Sequence, residues 1–563
     1  MDYLQRYQQW CQAGLPQDVQ QELLLIKDNE EELKSRFASQ LQFGTAGMRG
    51  VMGAGCNRLN RYTVRRAAQG MAKWLCGTDL PKKAAIGYDS RHNSRLFAEV
   101  CAVAFAEMGI HTYLYDRLAP TPMLSYAVRH LGCGCGIVIS ASHNSGEYNG
   151  VKCYGPDGCQ MTDEPAAIVT AEIEKIPYFV PENKNFTEYL GEGSISYIPQ
   201  EVWEDYYKTV IAQAIQPEII PTSGLHVVYT PLCGTGNEPV REIFKRLGVK
   251  ATVVACQEKP DGDFKTCEYP NPETDAALNE SYKVADKNPC DLILGTDPDA
   301  DRVAIAVPVA EGYRKFSGNE LGCLLLEYIL RKTKETTGLP EGAEAVRSIV
   351  SSPMADAICR RYGVESKAVL TGFKYIGGEI LELEQKNEES KFLFGFEESC
   401  GYLKGTYARD KDAVVASMLV CEMAADYRNR GMTLSQALDE LYAEYGFYMA
   451  HVQSISLTGA DAMEKAANMM RDLRSNIPAA IGGATVTQVR DYLSGEDKNL
   501  LTGETKTISL PKSNVYELIL GQQGSVIARP SGTEPKVKFY YTAVGDTKED
   551  AQALLARMQQ QMG

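Results

Sequence analysis

Leu292-Ile293-Leu294-Gly295-Thr296-Asp297-Pro298-Asp299-Ala300-Asp301-Arg302 is an apolar, strand-like run that ends in three alternating aspartates and an arginine. Three hard carboxylates at a strand end suit Mg²⁺, which prefers oxygen ligands and often shares them with a phosphate. A calcium loop counted from Asp297 would need glycine at its sixth position and an acid at its twelfth; Arg302 and Pro308 stand there instead. Alone, the segment also reads as a solvated acidic turn.

The same arrangement recurs along the chain. Gly136-Ile137-Val138-Ile139 leads into Ser140-Ala141-Ser142-His143-Asn144, Phe392-Leu393-Phe394 into Gly395-Phe396-Glu397-Glu398-Ser399, and Val526-Ile527-Ala528 into Arg529-Pro530-Ser531-Gly532-Thr533. Open α/β sheets bind ligands beyond the carboxyl ends of their strands, so the pattern predicts four sheets that each lend one loop to a shared cleft. Apolar β-branched runs alternate with helical patterns, which predicts α/β layering with mixed sheets. A helix is expected over 319–332, with Leu321, Leu324, Leu325, Tyr328 and Ile329 on one face, Glu327 and Arg331 on a polar face, and Asn319 as N-cap. Ala85-Ile86-Gly87-Tyr88-Asp89, Ile293-Leu294-Gly295-Thr296-Asp297 and Leu393-Phe394-Gly395-Phe396-Glu397 share a strand-Gly-x-acid shape, which hints at an internal repeat but also follows from turn chemistry alone.

With 563 residues and roughly 150 residues per domain, about four domains are expected. Soft boundaries near 210, 320 and 450 divide the chain into 1–210, 211–320, 321–450 and 451–563, with Pro217 to Gly224 and Pro308 to Gly318 as connecting turns. The net charge of −15 has no long basic cluster to offset it, which argues against nucleic acid. An acidic protein that binds anions must concentrate cations locally, which singles out Arg49, Arg302 and Arg529. The 16 cysteines lack metal or redox spacing and read as small buried apolar residues. No stretch fits a signal peptide or a membrane span, so a cytoplasmic location and no membrane partner are expected.

Each loop carries a different chemistry. Ser142 is a candidate nucleophile that would need a base, a metal or a stored phosphoryl group, and Lys152 lies past an expected turn at Asn149-Gly150; an ordinary polar loop is the other reading. Glu397 and Ser399 can accept from and donate to adjacent sugar hydroxyls, although the segment also reads as a polar turn. Arg529, Ser531, Gly532, Thr533 and Lys538 form an anion cradle or a plain hairpin turn. Gly44-Thr45-Ala46-Gly47-Met48-Arg49-Gly50 is a second glycine-rich loop, with Arg49 its candidate phosphate contact.

Taken together, these loops resemble the alpha-D-phosphohexomutase family, in the same order along nearly the whole chain. The family signature Thr-Ala-Ser-His-Asn-Pro appears here with Ser140 for Thr and Ser145 for Pro, so three serines compete, and the Ser-His-Asn register selects Ser142. In Asp-Gly-Asp-x-Asp-Arg, Pro298 replaces Gly; after Glu-x-Ser, Cys400 replaces Gly, which leaves that loop's path open.

The resemblance implies three related α/β domains with mixed sheets plus a C-terminal α+β domain around a central cleft. It implies an isomerase that moves phosphate on a sugar, most like the alpha-phosphoglucomutase branch, with phosphomannomutase, phosphopentomutase and a non-catalytic sugar-phosphate-binding regulator as alternatives. Ser142 would carry the phosphoryl group, with Mg²⁺ on Ser142, Asp297, Asp299 and Asp301 and glucose 1,6-bisphosphate as primer. His143, Lys152, Arg49 and Arg302 would assist the transfer, Lys152 as general acid/base. Thr371, Gly372, Lys374, Glu397 and Ser399 would read the sugar, and the Arg529 to Lys538 cradle the distal phosphate. Small-molecule sugar phosphates are the expected partners of a monomer or weak homodimer.

Overall fold

The computed structural model describes residues 2–44, 47–458, 461–531 and 536–562. Its first three sheets repeat one topology. In the first, His111–Leu114, Lys83–Tyr88 and Cys135–Ile139 lie side by side in parallel, and Tyr148–Tyr154 returns antiparallel to Cys135–Ile139. In the second, the same positions are taken by Lys250–Val253, His226–Thr230, Leu292–Thr296 and the antiparallel Val303–Pro308. In the third they are taken by Glu365–Val369, Glu344–Ser348, Phe392–Glu397 and the antiparallel Gly401–Leu403. The serine, aspartate and glutamate loops each join the third of these strands to its antiparallel return. Each therefore leaves the carboxyl end of a parallel strand, where open α/β sheets place their ligands.

The repeat is thus real, but the sequence look-alikes align it wrongly in the first unit. In that shared order Lys83–Tyr88 is the second, middle strand of its unit, whereas Leu292–Thr296 and Phe392–Glu397 are third strands. The true counterpart is Cys135–Ile139. Glycine followed by an acid after a strand is common turn chemistry and carries no register.

The fourth sheet is wholly antiparallel, with Phe447–Ser456, Lys536–Gly545, Gly524–Pro530, Tyr516–Ile519, Gln488–Asp491, Glu496–Asn499 and Thr505–Thr507 in that order. The long strand Phe447–Ser456 pairs with Lys536–Gly545 along its whole length, so this sheet begins at Phe447. Pro308 to Gly318 is not a plain turn, because Tyr313–Lys315 within it pairs with Val303–Pro308 as the edge of the second sheet. Pro217 to Gly224 holds a short helix, Ile219–Ser223.

The core is unevenly shared. One contiguous apolar cluster runs from Ala85 in the first sheet to Tyr442, spanning all three α/β units. The C-terminal unit has its own cluster around Leu518, Val526 and Tyr541. It meets the third unit through a small patch of Ile349, Val350 and Leu370 against Tyr492, Ile527 and Tyr540. Twelve of the 16 cysteines are buried and all are free thiols, as their scatter suggested; Cys11, Cys76 and Cys256 are exposed. Among the described residues no helix is long and apolar enough to cross a membrane.

The expected helix over 319–332 runs Gly318–Thr336 and is capped by Ser317, not Asn319. Ser317 Oγ accepts the Glu320 N–H at 3.2 Å, and the Glu320 carboxylate accepts the Ser317 N–H at 2.8 Å. This reciprocal pair satisfies two donors at the helix start, while Asn319 turns away to accept the Ser352 N–H at 2.8 Å. The face expected to be polar is packed as well. Glu327 is buried and accepts from Tyr362 and Tyr427, each at 3.0 Å, and Arg331 reaches Asp426 at 2.9 Å. Helical period identifies a face, but not whether the opposite face meets another helix.

Asp412 caps the buried helix Ala413–Asn429, accepting N–H bonds from Val414 at 2.7 Å and Val415 at 3.1 Å. Its other oxygen accepts from Tyr206 at 2.8 Å and from Tyr407. Asp412→Ala removes the cap and strands two buried hydroxyls, and should cost about 3 kcal/mol. A lowered denaturation midpoint in a urea or thermal titration is the expected reading, and an unchanged midpoint would contradict it.

Candidate functional site

Asp297, Asp299 and Asp301 are fully buried, and one carboxylate oxygen from each lies within 4.8 Å of the others. The loop's own backbone folds them inward. Asp297 Oδ1 accepts the N–H groups of Asp301 at 3.1 Å and Arg302 at 3.0 Å, and Ala300 takes a left-handed φ of 50°. The loop is packed closely from the side of residue 234, which is glycine: a Cβ there would stand 2.4 Å from Pro298 Cα. The substitution of Pro298 for the family glycine thus leaves all three carboxylates in place.

Ser142 lies opposite, 3% exposed, with a left-handed φ of 53°. Its Oγ donates to Asp297 Oδ2 at 2.9 Å and lies 3.1 Å from His143 Nδ1. The other two serines point elsewhere: Ser140 Oγ turns back to accept the Ser142 N–H at 2.8 Å, and Ser145 Oγ donates to Glu147 at 3.5 Å. Asn149-Gly150 is not a turn. Both residues lie within Tyr148–Tyr154, and that strand carries Lys152 to the aspartates, where Nζ donates to Asp299 Oδ2 at 2.6 Å and Asp301 Oδ2 at 3.1 Å.

The charges explain one another. Burial, reinforced by Asp299 and Asp301, pushes the Asp297 carboxyl well above its ordinary range. Burial acts on Asp299 too, but the Lys152 ammonium outweighs it and holds that carboxyl low. Lys152 in turn is raised above its ordinary value by the two aspartates despite its burial. Burial, then the Arg302 and Arg49 guanidiniums, push His143 well below its ordinary value, so its ring is neutral. Arg302 donates to Glu273 at 2.6 Å, and Arg49 donates to Asn144 at 3.0 Å. A cavity of about 850 Å³ opens beside Lys152, with Arg49, Gly44, Ser140 and Gln160 in its wall.

The donor set fits a hard divalent cation. Asp299 Oδ1 and Asp301 Oδ1 are buried and accept no hydrogen bond among the described residues. Such orphaned carboxylate oxygens are costly unless a cation meets them.

The sugar-reading candidates form a second cluster. Glu397 is buried, and its Oε1 accepts the Gly372 N–H at 2.7 Å, which joins the 371–374 and 397–399 loops. Thr371 Oγ1 is buried without a hydrogen-bond partner among the described residues. Lys374 Nζ reaches across to Asp163 in the first unit at 3.0 Å. Ser399 is half-buried on the turn after Glu397. Cys400 adopts a left-handed φ of 63°, the conformation a glycine would take freely, so the turn keeps its path without one. Burial, followed by the Glu397 carboxylate, pushes Glu398 up to about 7.

Arg529 and Lys538 face each other across paired strands, and burial followed by Lys536 and Arg529 lowers the Lys538 ammonium. Ser531 donates its N–H to Lys536 O at 2.8 Å. Gly532 and Thr533 lie outside the described residues.

Three groups at the site were not singled out by the sequence. Thr121 Oγ1 donates to Asp299 Oδ2 at 3.0 Å. Lys411 stands 3.4 Å from Asp301. Arg91 grips the Ser142 loop from below. Arg91 does follow a strand end, the signal that exposed the other loops. Arg409-Asp410-Lys411-Asp412 is a run of four charged residues, all of which tertiary packing buries.

Four family descriptions match in register: phosphoglucomutase/phosphomannomutase alpha/beta/alpha domain I over residues 40–178, domain II over 204–310, domain III over 317–445 and the C-terminal domain over 496–560. A phosphoglucomutase of Staphylococcus epidermidis is 38% identical over 523 residues, covering 92% of this chain and 94% of that protein. One from Staphylococcus aureus is 38% identical over 522 residues, covering 91% of each. Among solved structures, Paramecium pp63/parafusin, a phosphoglucomutase in an open form, aligns with a TM-score of 0.67 at 14% identity over 94% of this chain and 95% of that one. A phosphoglucomutase/phosphomannomutase family protein of Burkholderia thailandensis aligns with a TM-score of 0.67 at 18% identity, over 92% and 95% of the two chains. With the same four units in order and the same loops at their strand ends, the chain belongs to the phosphoglucomutase/phosphomannomutase family, the alpha-D-phosphohexomutases.

Proposed function

We propose that this isomerase interconverts glucose 1-phosphate and glucose 6-phosphate through a phosphoserine at Ser142 and a glucose 1,6-bisphosphate intermediate. The observation that carries the reading is the Ser142 hydroxyl held 2.9 Å from a buried trio of aspartates. In the forward direction the Oγ–P bond breaks as the phosphoryl group passes to O6 of the sugar, and the O6 proton leaves to a base. The bisphosphate then turns end for end, its O1 phosphoryl group returns to Ser142, and O1 regains a proton.

Phosphoryl transfer depends on positioning and charge neutralisation more than on covalent assistance. Ser142, Asp297, Asp299 and Asp301 would hold Mg²⁺, which when bound supplies positive charge against the oxygens of the transferring group. Lys152, Arg49 and Arg302 add cations around the same point, with Lys152 also placed to carry the proton, and His143 packs as a neutral ring beside the nucleophile. Glu397, Ser399, Thr371, Gly372 and Lys374 would read the hydroxyls; Lys374 would leave Asp163 to do so. Arg529, Ser531, Gly532, Thr533 and Lys538 would hold the phosphate that is not reacting. In this reading residues 1–210, 211–320, 321–450 and 451–563 are four domains that supply, in turn, the nucleophile, the metal, the sugar reader and the phosphate cradle. The chain works on small sugar phosphates in the cytoplasm, as a monomer or weak homodimer.

The function is tested with dephosphorylated protein. It should be nearly inactive on glucose 1-phosphate until catalytic glucose 1,6-bisphosphate is added, and glucose should be turned over faster than mannose or ribose phosphates in parallel assays. Full activity without primer would overturn the mechanism, and faster turnover of mannose or pentose phosphate would overturn the sugar assignment.

Ser142→Ala should abolish turnover and phosphate incorporation in an intact-mass measurement. Ser145→Ala should retain activity, and Ser140→Ala should slow the enzyme by loosening the Ser142 N–H yet leave the phosphate on Ser142. Mapping the phosphate to residue 140 or 145 would sink the assignment.

Asp299→Asn should weaken Mg²⁺ binding in calorimetry and lower kcat by two or more orders of magnitude, about 3 kcal/mol or more of lost charge stabilisation. Undiminished activity in excess chelator would exclude the metal role.

A further inference from the structure

We propose that Arg91 is a positioning residue for the nucleophile. Its buried guanidinium holds the Ser142 loop in its reactive shape, and Asp89 and Phe264 hold the guanidinium. The inference rests on the reading of Ser142 as phosphoryl carrier and adds a device that neither the sequence motifs nor that reading contains.

Within the loop between Cys135–Ile139 and Tyr148–Tyr154, Ser140 Oγ accepts the Ser142 N–H at 2.8 Å and Ala141 O accepts the Asn144 N–H at 3.2 Å, and Ser142 keeps a left-handed φ of 53°. A non-glycine residue holds that conformation only where its surroundings over-determine it. Arg91 adds the constraint on the carbonyl side. Nη2 donates to the carbonyl oxygens of Ser142 at 2.6 Å and of Asn144, and Nη1 donates to those of Ser145 at 2.7 Å and Tyr148 at 3.0 Å. One planar group thus grips the loop from the nucleophile to the start of the returning strand.

Arg91 is 3% exposed and Asp89 1% exposed, and Asp89 Oδ2 lies 3.3 Å from Arg91 Nε. Asp89 Oδ1 accepts the Arg91 N–H at 3.0 Å and the Ser94 hydroxyl at 2.6 Å, which fixes the carboxylate beneath the guanidinium. Asn149 closes the frame by donating to Ser94 Oγ at 2.9 Å and His92 O at 3.0 Å. Both Nη atoms donate to backbone carbonyls and Nε faces Asp89, so Arg91 acts through the loop rather than as an anion ligand.

The second unit presses on the same frame. The guanidinium carbon of Arg91 lies 4.9 Å from the centre of the Phe264 ring, a cation–π arrangement. The turn that carries Phe264 is itself pinned, with His92 Nε2 2.6 Å from Asp263 Oδ1. The backbones meet so closely that a Cβ on Gly146 would stand 2.6 Å from Gly262 O. The unit that bears the aspartates therefore also buttresses the loop that bears the serine, which fixes the two reacting partners against each other.

Lysine at 91 would keep a positive charge opposite Asp89 but lose the planar fork that reaches four carbonyls at once. A displacement of about 1 Å at a reacting atom costs on the order of 10²-fold in rate. In single-turnover quench experiments, Arg91→Lys should slow transfer from phosphorylated Ser142 to glucose 1-phosphate about 100-fold, while sugar-phosphate affinity stays within about twofold. Phe264→Leu keeps apolar volume without the ring face, and should slow the same step about threefold. Thermal unfolding and peptide mapping accompany each variant. Folded Arg91→Lys protein that transfers at the wild-type rate overturns the proposal, as does a rate loss matched by an equal loss of sugar-phosphate affinity. If Arg91→Lys does not fold, a wild-type rate in Phe264→Leu overturns it instead. Phosphate absent from Ser142 in the unaltered protein after incubation with glucose 1,6-bisphosphate would count against the functional reading itself, whereas phosphorylated Ser142 with unchanged rates in both variants would count only against Arg91.

Discussion

The structure depends on keeping three carboxylates together out of water. Two like charges about 4 Å apart repel by roughly 4 kcal/mol at the effective dielectric of a protein site, and Asp297, Asp299 and Asp301 pack their oxygens within 4.8 Å. The chain meets this cost with cations drawn from different units. Lys152 comes from the first unit, Arg302 from the second and Lys411 from the third. A buried charge stripped of its partner costs about 3–5 kcal/mol, so each unit needs the others to be correctly seated. The residual demand, Asp299 Oδ1 and Asp301 Oδ1 without a hydrogen bond among the described residues, is what a divalent cation would satisfy.

The rest of the architecture serves that seating. The apolar cluster shared by the three α/β units lets the serine and aspartate loops meet at hydrogen-bonding distance although they lie 155 residues apart. Arg409 to Asp412 extends the same frame. The Arg409 N–H donates to Ser125 Oγ at 2.8 Å, Asp410 accepts from Tyr154 at 2.9 Å and Asp412 from Tyr206 at 2.8 Å. The C-terminal unit is joined to these three less extensively, with Phe447, Tyr448 and Met449 packed on their shared cluster. It has its own core and a small apolar seam with the third unit, the kind of interface across which domain motion is the ordinary expectation.

Where the sequence reading went astray, the cause is consistent. Asn319 has the chemistry of an N-cap, but Ser317 two residues earlier forms a reciprocal capping box with Glu320, and Asn319 is drawn to Ser352 of a different element. Asn149-Gly150 has the composition of a turn, but it lies in a strand paired on both sides, and a Cβ on Gly150 would stand 2.5 Å from Ser140 O. Glycine there permits close backbone approach rather than reversal. The repeat was visible but misregistered, because its signal is topological and carries almost no residue identity.

By itself the sequence determined which loops end strands, which residue types they offer, and the order in which the candidate serine, aspartate, glutamate and arginine loops follow along the chain. These are local properties, set by hydrophobic period and turn composition, and they survive without knowledge of the fold. Only the tertiary structure decided that Ser142, the serine its motif register selects, meets Asp297 at 2.9 Å, that Cys400 can stand where a glycine was expected, and that Lys411, Thr121 and Arg91 belong to the site. Those facts depend on long-range packing and on burial. Burial turns the charge run Arg409 to Asp412 into a set of obligatory partners, because a charge removed from water must find its counter-charge within the protein.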